Sequence, residues 1–195
     1  MIITVIDTET TGLNNKQHEI IEIAAVSYKI NEDGSSIMVE SLNKKIKPRN
    51  IHLAESKALE VNGYNDEDWK DAQDFLSVWR PLGELIDNSD LLLGQNLIFD
   101  LRFIQSECKR RNIEEYEFPP YIDTKAMADE LKRAEWISST SMDNLVEHYQ
   151  ISLEGRAHTA YHDCKRTFLV FEKLCRDLDN DYQLYTYKNP YRRRN

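Results

Sequence analysis

The opening residues 2–7, IITVID, constrain the chain more than any other stretch. They form a β-branched apolar run that ends in an acid, followed by Thr8, Glu9, Thr10, Thr11 and Gly12. Such a run suits a strand buried on both faces. Side chains alternate along a strand, so Asp7 and Glu9, two positions apart, leave from the same face. Two like charges about 4 Å apart repel by roughly 4 kcal/mol at an effective dielectric near 20. A divalent cation between them would offset that cost. Gly12 lets the chain turn sharply. An isolated D-x-E reads more simply as the end of a strand, and it is the acids further down the chain that change the balance.

A chain of 195 residues predicts one domain with a small extension. No run of about 18 apolar residues is present, so no membrane span is expected. The N-terminal apolar run lacks a preceding charged segment and is interrupted by Asp7, so it reads as a strand rather than a signal peptide. Cys108, Cys164 and Cys175 are odd in number and widely spaced, which predicts reduced, buried thiols and a cytoplasmic setting. The net charge of −9 argues against a broad non-specific grip on nucleic acid. It leaves room for a nucleic-acid enzyme, because a metal site concentrates carboxylates and bound cations invert the local field.

After Gly12, residues 19–30 (EIIEIAAVSYKI) predict a second strand, NEDGS (31–35) a hairpin turn, and residues 37–46 a third strand. Residues 53–60 predict a short helix closing at Gly63. A second helix is expected over 66–86, capped by Asp66 and kinked or split by Pro81. Residues 91–94 predict a short buried strand, followed by a helix over 96–111. Tyr121 to Asp123 begin a strand-to-helix element through Leu131, and further helices are expected over 141–149 and 160–178. Three strands followed by alternating strands and helices describe an α/β fold, with a mixed central sheet that starts as an antiparallel three-strand meander and is flanked by helices. The end, KNPYRRRN (188–195), reads as a short basic tail.

Asn96 and Asp100, four apart, would share a face of the predicted helix, whose start lies where ligands of α/β folds bind. His158 and Asp163 open the last helix in the stretch RAHTAYHD. His162 reads as a solvent-facing neighbour; His18, His52 and His148 read as structural or exposed. Asp7, Glu9, Asp100 and Asp163 on separate elements, with His158, match the needs of two-metal phosphodiester hydrolysis. Hard cations prefer carboxylate and water oxygens, and an imidazole with a pKa near neutral can take the proton from the attacking water.

DTETTG, NLIFD and HTAYHD, in that order, resemble the three motifs of the DEDDh (DnaQ-like) 3′–5′ exonucleases, over about residues 2–178. The resemblance implies a ribonuclease H-like fold, an exonuclease domain at 1–178 and a C-terminal extension at 179–195. It implies Mg²⁺ or Mn²⁺, two ions, held by Asp7, Glu9, Asp100 and Asp163. Asp7 would bridge both ions, Asp100 would act largely through bound water, and His158 would be the general base. The terminal 3′-nucleotide would meet Thr8 and Glu9, with Leu13 against its base and Asn96 and Phe99 lining the pocket. Asn62 precedes Gly63 where the family usually reads His-Gly, and Gln95 precedes Asn96 where it usually reads His-Asn. Asp123 reads as a helix cap rather than a ligand. The expected reaction releases nucleoside 5′-monophosphates from the 3′ end of single-stranded DNA or RNA, with DNA and a proofreading role preferred. Two alternatives stand beside it. One is an exoribonuclease of the ribonuclease T or oligoribonuclease type. The other is a non-catalytic module that binds nucleic acid or docks on a polymerase. A polymerase or replication partner would have to be a separate chain, and the oligomeric state is not legible in one sequence.

Overall fold

The computed structural model describes residues 1–155, 158–179 and 181–188. Six strands form one sheet: β1 (Ile2–Thr10), β2 (Ile20–Ile30), β3 (Ser36–Lys45), β4 (Leu91–Gly94), β5 (Tyr121–Asp123) and β6 (Thr186–Tyr187), in the order β3-β2-β1-β4-β5-β6. β1–β2–β3 is the expected antiparallel meander. β4 runs parallel to β1, and β5 runs parallel to β4. β1 is therefore central, with strands on both sides and helices on both faces.

The alternation of β1 divides its side chains between two cores. Ile3 and Val5 join the layer formed with α4 (Thr124–Arg133), α5 (Met142–His148) and α6 (Ala160–Asp177). Ile6 joins the layer formed with α2 (Phe75–Asp87) and α3 (Ile98–Arg110). Thr4 is buried without strain because its hydroxyl shares hydrogen bonds with Ser27 and Ser89 at 2.7 and 2.6 Å. α6 lies directly over β1 and β2: the Cys164 thiol approaches the carbonyls of Val5 and Ala24 at 3.7 and 3.6 Å. All three cysteines are free and buried, as expected.

The second helix starts later than residues 66–86 implied. Asp74, not Asp66, is its cap, accepting from the Leu76 N–H at 3.0 Å. Residues 66–71 form turns. The Trp69 indole donates to the Ile21 carbonyl (2.8 Å), and Gln73 bridges Ile46, so tertiary bonds to the sheet edge overrode the apolar spacing. The helix runs unbroken through the exposed Pro81. The short helix α1 (Ser56–Asn62) ends at Gly63, whose φ of 66° is the left-handed conformation that glycine adopts at little cost. Beyond residue 178, a short turn of helix leads to β6, which pairs antiparallel with β5. Most of the basic tail, residues 189–195, lies outside the described residues. No described helix is long and apolar enough to cross a membrane.

Phe103, 1% exposed, anchors α3 under the sheet. Phe103→Ala should lower unfolding free energy by about 3–5 kcal/mol in urea titrations. A loss below about 1 kcal/mol would mean that α3 is not held by this core.

Candidate active site

β1 ends at the edge where α3 and α6 begin, and this brings the motif residues together. Asp7, Glu9 and Asp163 each place a carboxylate oxygen within 4.8 Å of the others. Asp7 and Glu9 share the face of β1 that carries Ile3 and Val5, the face against which α6 packs. Asp163, in the first turn of α6, meets them there. Asp163 is fixed at both oxygens: one accepts the His158 backbone N–H at 3.1 Å, the other the Arg166 guanidinium at 3.1 Å. Arg166 also holds Asp143 at 2.5 Å, so its charge is shared between two acids.

Asp100 comes from the other side of β1. It is 4% exposed and accepts the Thr8 hydroxyl at 2.6 Å. It stands outside the trio within 4.8 Å, yet its charge is felt at Asp7. Asn96 does not share its helix face, contrary to the sequence expectation. The helix begins at Ile98, and Asn96 sits ahead of it with φ 61°. Its N–H is held at 2.8 Å by Asp123, which also caps α4 through the Lys125 N–H at 3.0 Å. Asp123 thus ties β5, α4 and the entry to α3 together, a cap as expected.

His158 lies in the left-handed region (φ 60°) and is exposed. Together with Asp7, Gln95, Asp143, Asp163 and Arg166 it lines a cavity of about 270 Å³. His162, expected to face solvent, is instead buried at 8% exposure. Its ring packs against Gly155, where an added Cβ would come within 2.4 Å of it, and lies 3.7 Å from Asp163. The chain ahead of α6 folds back over this helical face and covers it. His18 is buried and structural: it accepts the Asn14 N–H at 3.0 Å, and a Cβ on Gly12 would meet its ring at 2.3 Å.

Of the other expected substrate residues, Leu13 is 78% exposed and lines a second cavity of about 130 Å³ with Asn96 and Phe99. Asn62 lines neither cavity; it is buried and donates to the Thr10 carbonyl at 2.9 Å, tying α1 to β1. Glu22 is an acid the sequence reading missed. It is 4% exposed and directly opposite Glu9 in the β1–β2 ladder. Its signal was present, a charged residue inside the run EIIEIAAV, but only the pairing register sets it beside Glu9.

Burial first, then the charges of Asp100, Glu9 and Asp163, hold Asp7 well above the ordinary carboxylate range. Burial, then Asp163 and Glu22, push Glu9 up to about 8. Burial raises Asp100 to about 7 despite its bond from Thr8. No Lys or Arg pairs with Asp7 or Glu9 among the described residues. An oxygen-only donor set with uncompensated negative charge fits hard divalent cations.

Comparison with known families gives the class of protein: a 3′–5′ exonuclease, a phosphodiester hydrolase, of a divalent-metal-dependent family. The profile of the family described as Exonuclease (RNase_T) matches residues 4–171, and the chain belongs to that family. Ribonuclease T of Shewanella denitrificans is 26% identical over 86% of this chain and 77% of its own. DNA polymerase III subunit epsilon of Rickettsia conorii is 29% identical over 87% and 72%. The nuclease domain of 3′hExo, a DEDDh family member solved with rAMP, superposes with a TM-score of 0.74 at 17% identity, covering 96% of both chains. The ribonuclease H-like fold expected from the motifs is therefore the fold observed.

The raised carboxylates mean that the metal-free folded state binds protons more tightly than the unfolded chain. Its stability should be full below the unfolded value of 4.5 for Glu9 and fall as pH rises towards about 8. In EDTA the Tm should drop across that window, and Mg²⁺ or Mn²⁺ should recover it above pH 7. A Tm in EDTA that rises from pH 5 to 8 would contradict the geometry.

Proposed function

We propose that this protein removes nucleoside 5′-monophosphates from the 3′ end of single-stranded nucleic acid, preferring DNA, with Asp7, Glu9, Asp100 and Asp163 holding two divalent cations, Mg²⁺ or Mn²⁺. The convergence of Asp7, Glu9 and Asp163 carries this reading. Cations held there would neutralise charge on the attacking and leaving oxygens and lower the pKa of bound water. Asp7, at the centre of the acids, would touch both ions, and Asp100, steadied by Thr8, would act on the second.

His158 would take the proton of the attacking water. Its backbone N–H donates to Asp163, which holds the residue at the rim of the acid cluster, and it lines the same cavity as Asp7. Thr8 and Glu9 would meet the terminal nucleotide, Leu13 would press on its base, and Asn96 and Phe99 would shape the pocket between them. Asn62 would act indirectly, by fixing the end of β1.

The DNA preference rests on the opening DTETTG and on similarity to a polymerase III epsilon subunit. That relative is by name a polymerase subunit, which supports a proofreading role with a separate polymerase as partner. The similarity to ribonuclease T supports a second reading, an exoribonuclease. We assign residues 1–178 to the exonuclease domain and 179–195 to an extension, and place the protein in the cytoplasm on its three free thiols.

A time course on matched 5′-labelled DNA and RNA 12-mers, with and without Mg²⁺, separates these readings. Stepwise shortening from the 3′ end, faster on DNA and only with metal, is expected; a strong RNA preference selects the second reading. Asp7→Ala and Asp163→Ala should each lower kcat by about a thousandfold or more, and His158→Ala by about 10²–10⁴. Near-normal rates in either acid variant would refute the site.

A further inference from the structure

We propose that His162 is a positioning residue for the reaction: its buried ring latches the chain ahead of α6, so that His158 stays at the rim of the acid cluster. The inference rests on the nuclease reading of that cluster and adds what holds its general base in place.

His158 needs restraint. Its backbone sits at φ 60°, a left-handed conformation that residues other than glycine rarely hold. Such strain persists only where the surroundings over-determine it. One restraint is the bond from its N–H to Asp163 at 3.1 Å. His158 is itself exposed, so burial of its own side chain does not supply the rest.

The second restraint lies under the chain that leads to His158. His162 stands in the first turn of α6 and is 8% exposed. Its Nε2 is 3.5 Å from the Leu153 carbonyl. Its ring fills the space beside Gly155, where an added Cβ would lie 2.4 Å from Cδ2. Gly155 has φ 139°, so both its backbone and the ring below it demand a residue without a side chain. Three residue steps separate Gly155 from His158, at most about 11 Å of chain. A shift of Leu153 and Gly155 is therefore passed on to His158.

Distance decides what His162 serves. Its Nδ1 lies 3.7 Å from Asp163, beyond hydrogen-bond reach, and has no hydrogen-bond partner among the described residues. The Asp163 oxygen that faces it already accepts from Arg166 at 3.1 Å. His162 therefore does little to aim the metal ligand. Nor is it the natural choice for packing alone, because an apolar side chain would leave no buried polar atom unsatisfied. Its remaining contacts, Leu153 and Gly155, both belong to the chain that carries His158.

The test compares variants of the full chain in three measurements. These are hydrolysis of a 5′-labelled DNA 12-mer with Mg²⁺, Mn²⁺ binding by calorimetry without substrate, and cleavage after Glu154 by endoproteinase Glu-C. H162A should lower kcat about thirtyfold, the scale of a small misplacement of a catalytic group, and keep KM within about twofold. Its Mn²⁺ affinity should stay within about threefold, because the acids are untouched. Glu-C should cut it after Glu154 about tenfold faster than the normal protein. H162Q restores a donor of similar reach and should return kcat to within about threefold of normal. G155A pushes against the ring from the other side and should reproduce the H162A losses, and it carries the test alone if H162A does not fold. The double variant should be little worse than either single one, since both release the same latch. A kcat within twofold of normal in G155A and in folded H162A, or unchanged cleavage after Glu154, would overturn the proposal. So would a tenfold loss of Mn²⁺ affinity, which would place the action of His162 at the metal ligand instead. An absence of hydrolysis by the intact protein would sink the nuclease reading, while the Glu-C cut would still report whether His162 holds this chain.

Discussion

Three carboxylates, Asp7, Glu9 and Asp163, are driven together at the end of β1 against their own repulsion, with the buried Asp100 beside them, and the surrounding fold is what keeps them there. Like charges at such spacing cost several kcal/mol even at a moderate effective dielectric. Asp7 and Glu9 cannot separate, because the pleat of a central strand fixes both on one face. Asp163 cannot retreat, because Cys164 lies against the β1 and β2 carbonyls and Phe168 stacks on Tyr28 at 3.5 Å between ring centres. Asp100 cannot swing away, because α3 is pinned by Phe103 and Thr8 donates to its oxygen. The stress is borne by a core to which β1 contributes Ile3, Val5 and Ile6 and β2 contributes Ile20, Ile23, Ala24, Ala25, Val26 and Tyr28.

A second set of buried charges maintains the other wall. Glu107 is fully buried on α3 and pairs with Arg110 and Arg111. Arg111 also lies over the Phe75 ring and near Asp74, the cap of α2. Asp74 in turn holds Arg49, whose N–H donates to Glu19 at 2.9 Å. Removing one member of such a network leaves an unpaired buried charge, a larger loss than the network's own net contribution. The chain therefore joins the loop after β1, the entry to α2 and the length of α3 as one frame beside the cavity of Leu13, Asn96 and Phe99. The acid cluster and this network differ in kind: the network is balanced internally, whereas the cluster has excess negative charge that only a cation from outside can offset.

Much of this was legible in the sequence because the evidence was local. The run IITVID, the turn at NEDGS and the three acid motifs each lie within a dozen residues, and strand and helix periodicities place their side chains directly. The missed features are pairings between distant segments. Glu22 became part of the site only through the β1–β2 register. Asn96 lost its helical place because Asp123, 27 residues away, captures its N–H. His162 was read as exposed because nothing local shows that Leu153 to Gly155 fold back over it. Asp66 resembled a cap, but Trp69 and Gln73 are claimed by the sheet edge. β6 is two residues long, too short for any period to register, and is formed by its partner β5.

The central claim is that the excess charge at the end of β1 is there to hold divalent cations. Anomalous diffraction from crystals soaked in Mn²⁺ tests it most directly. The account predicts strong anomalous peaks in contact with Asp7, one of them shared with Glu9 and Asp163. Crystals of catalytically competent protein that show no manganese at those carboxylates, at concentrations that support hydrolysis, would contradict it.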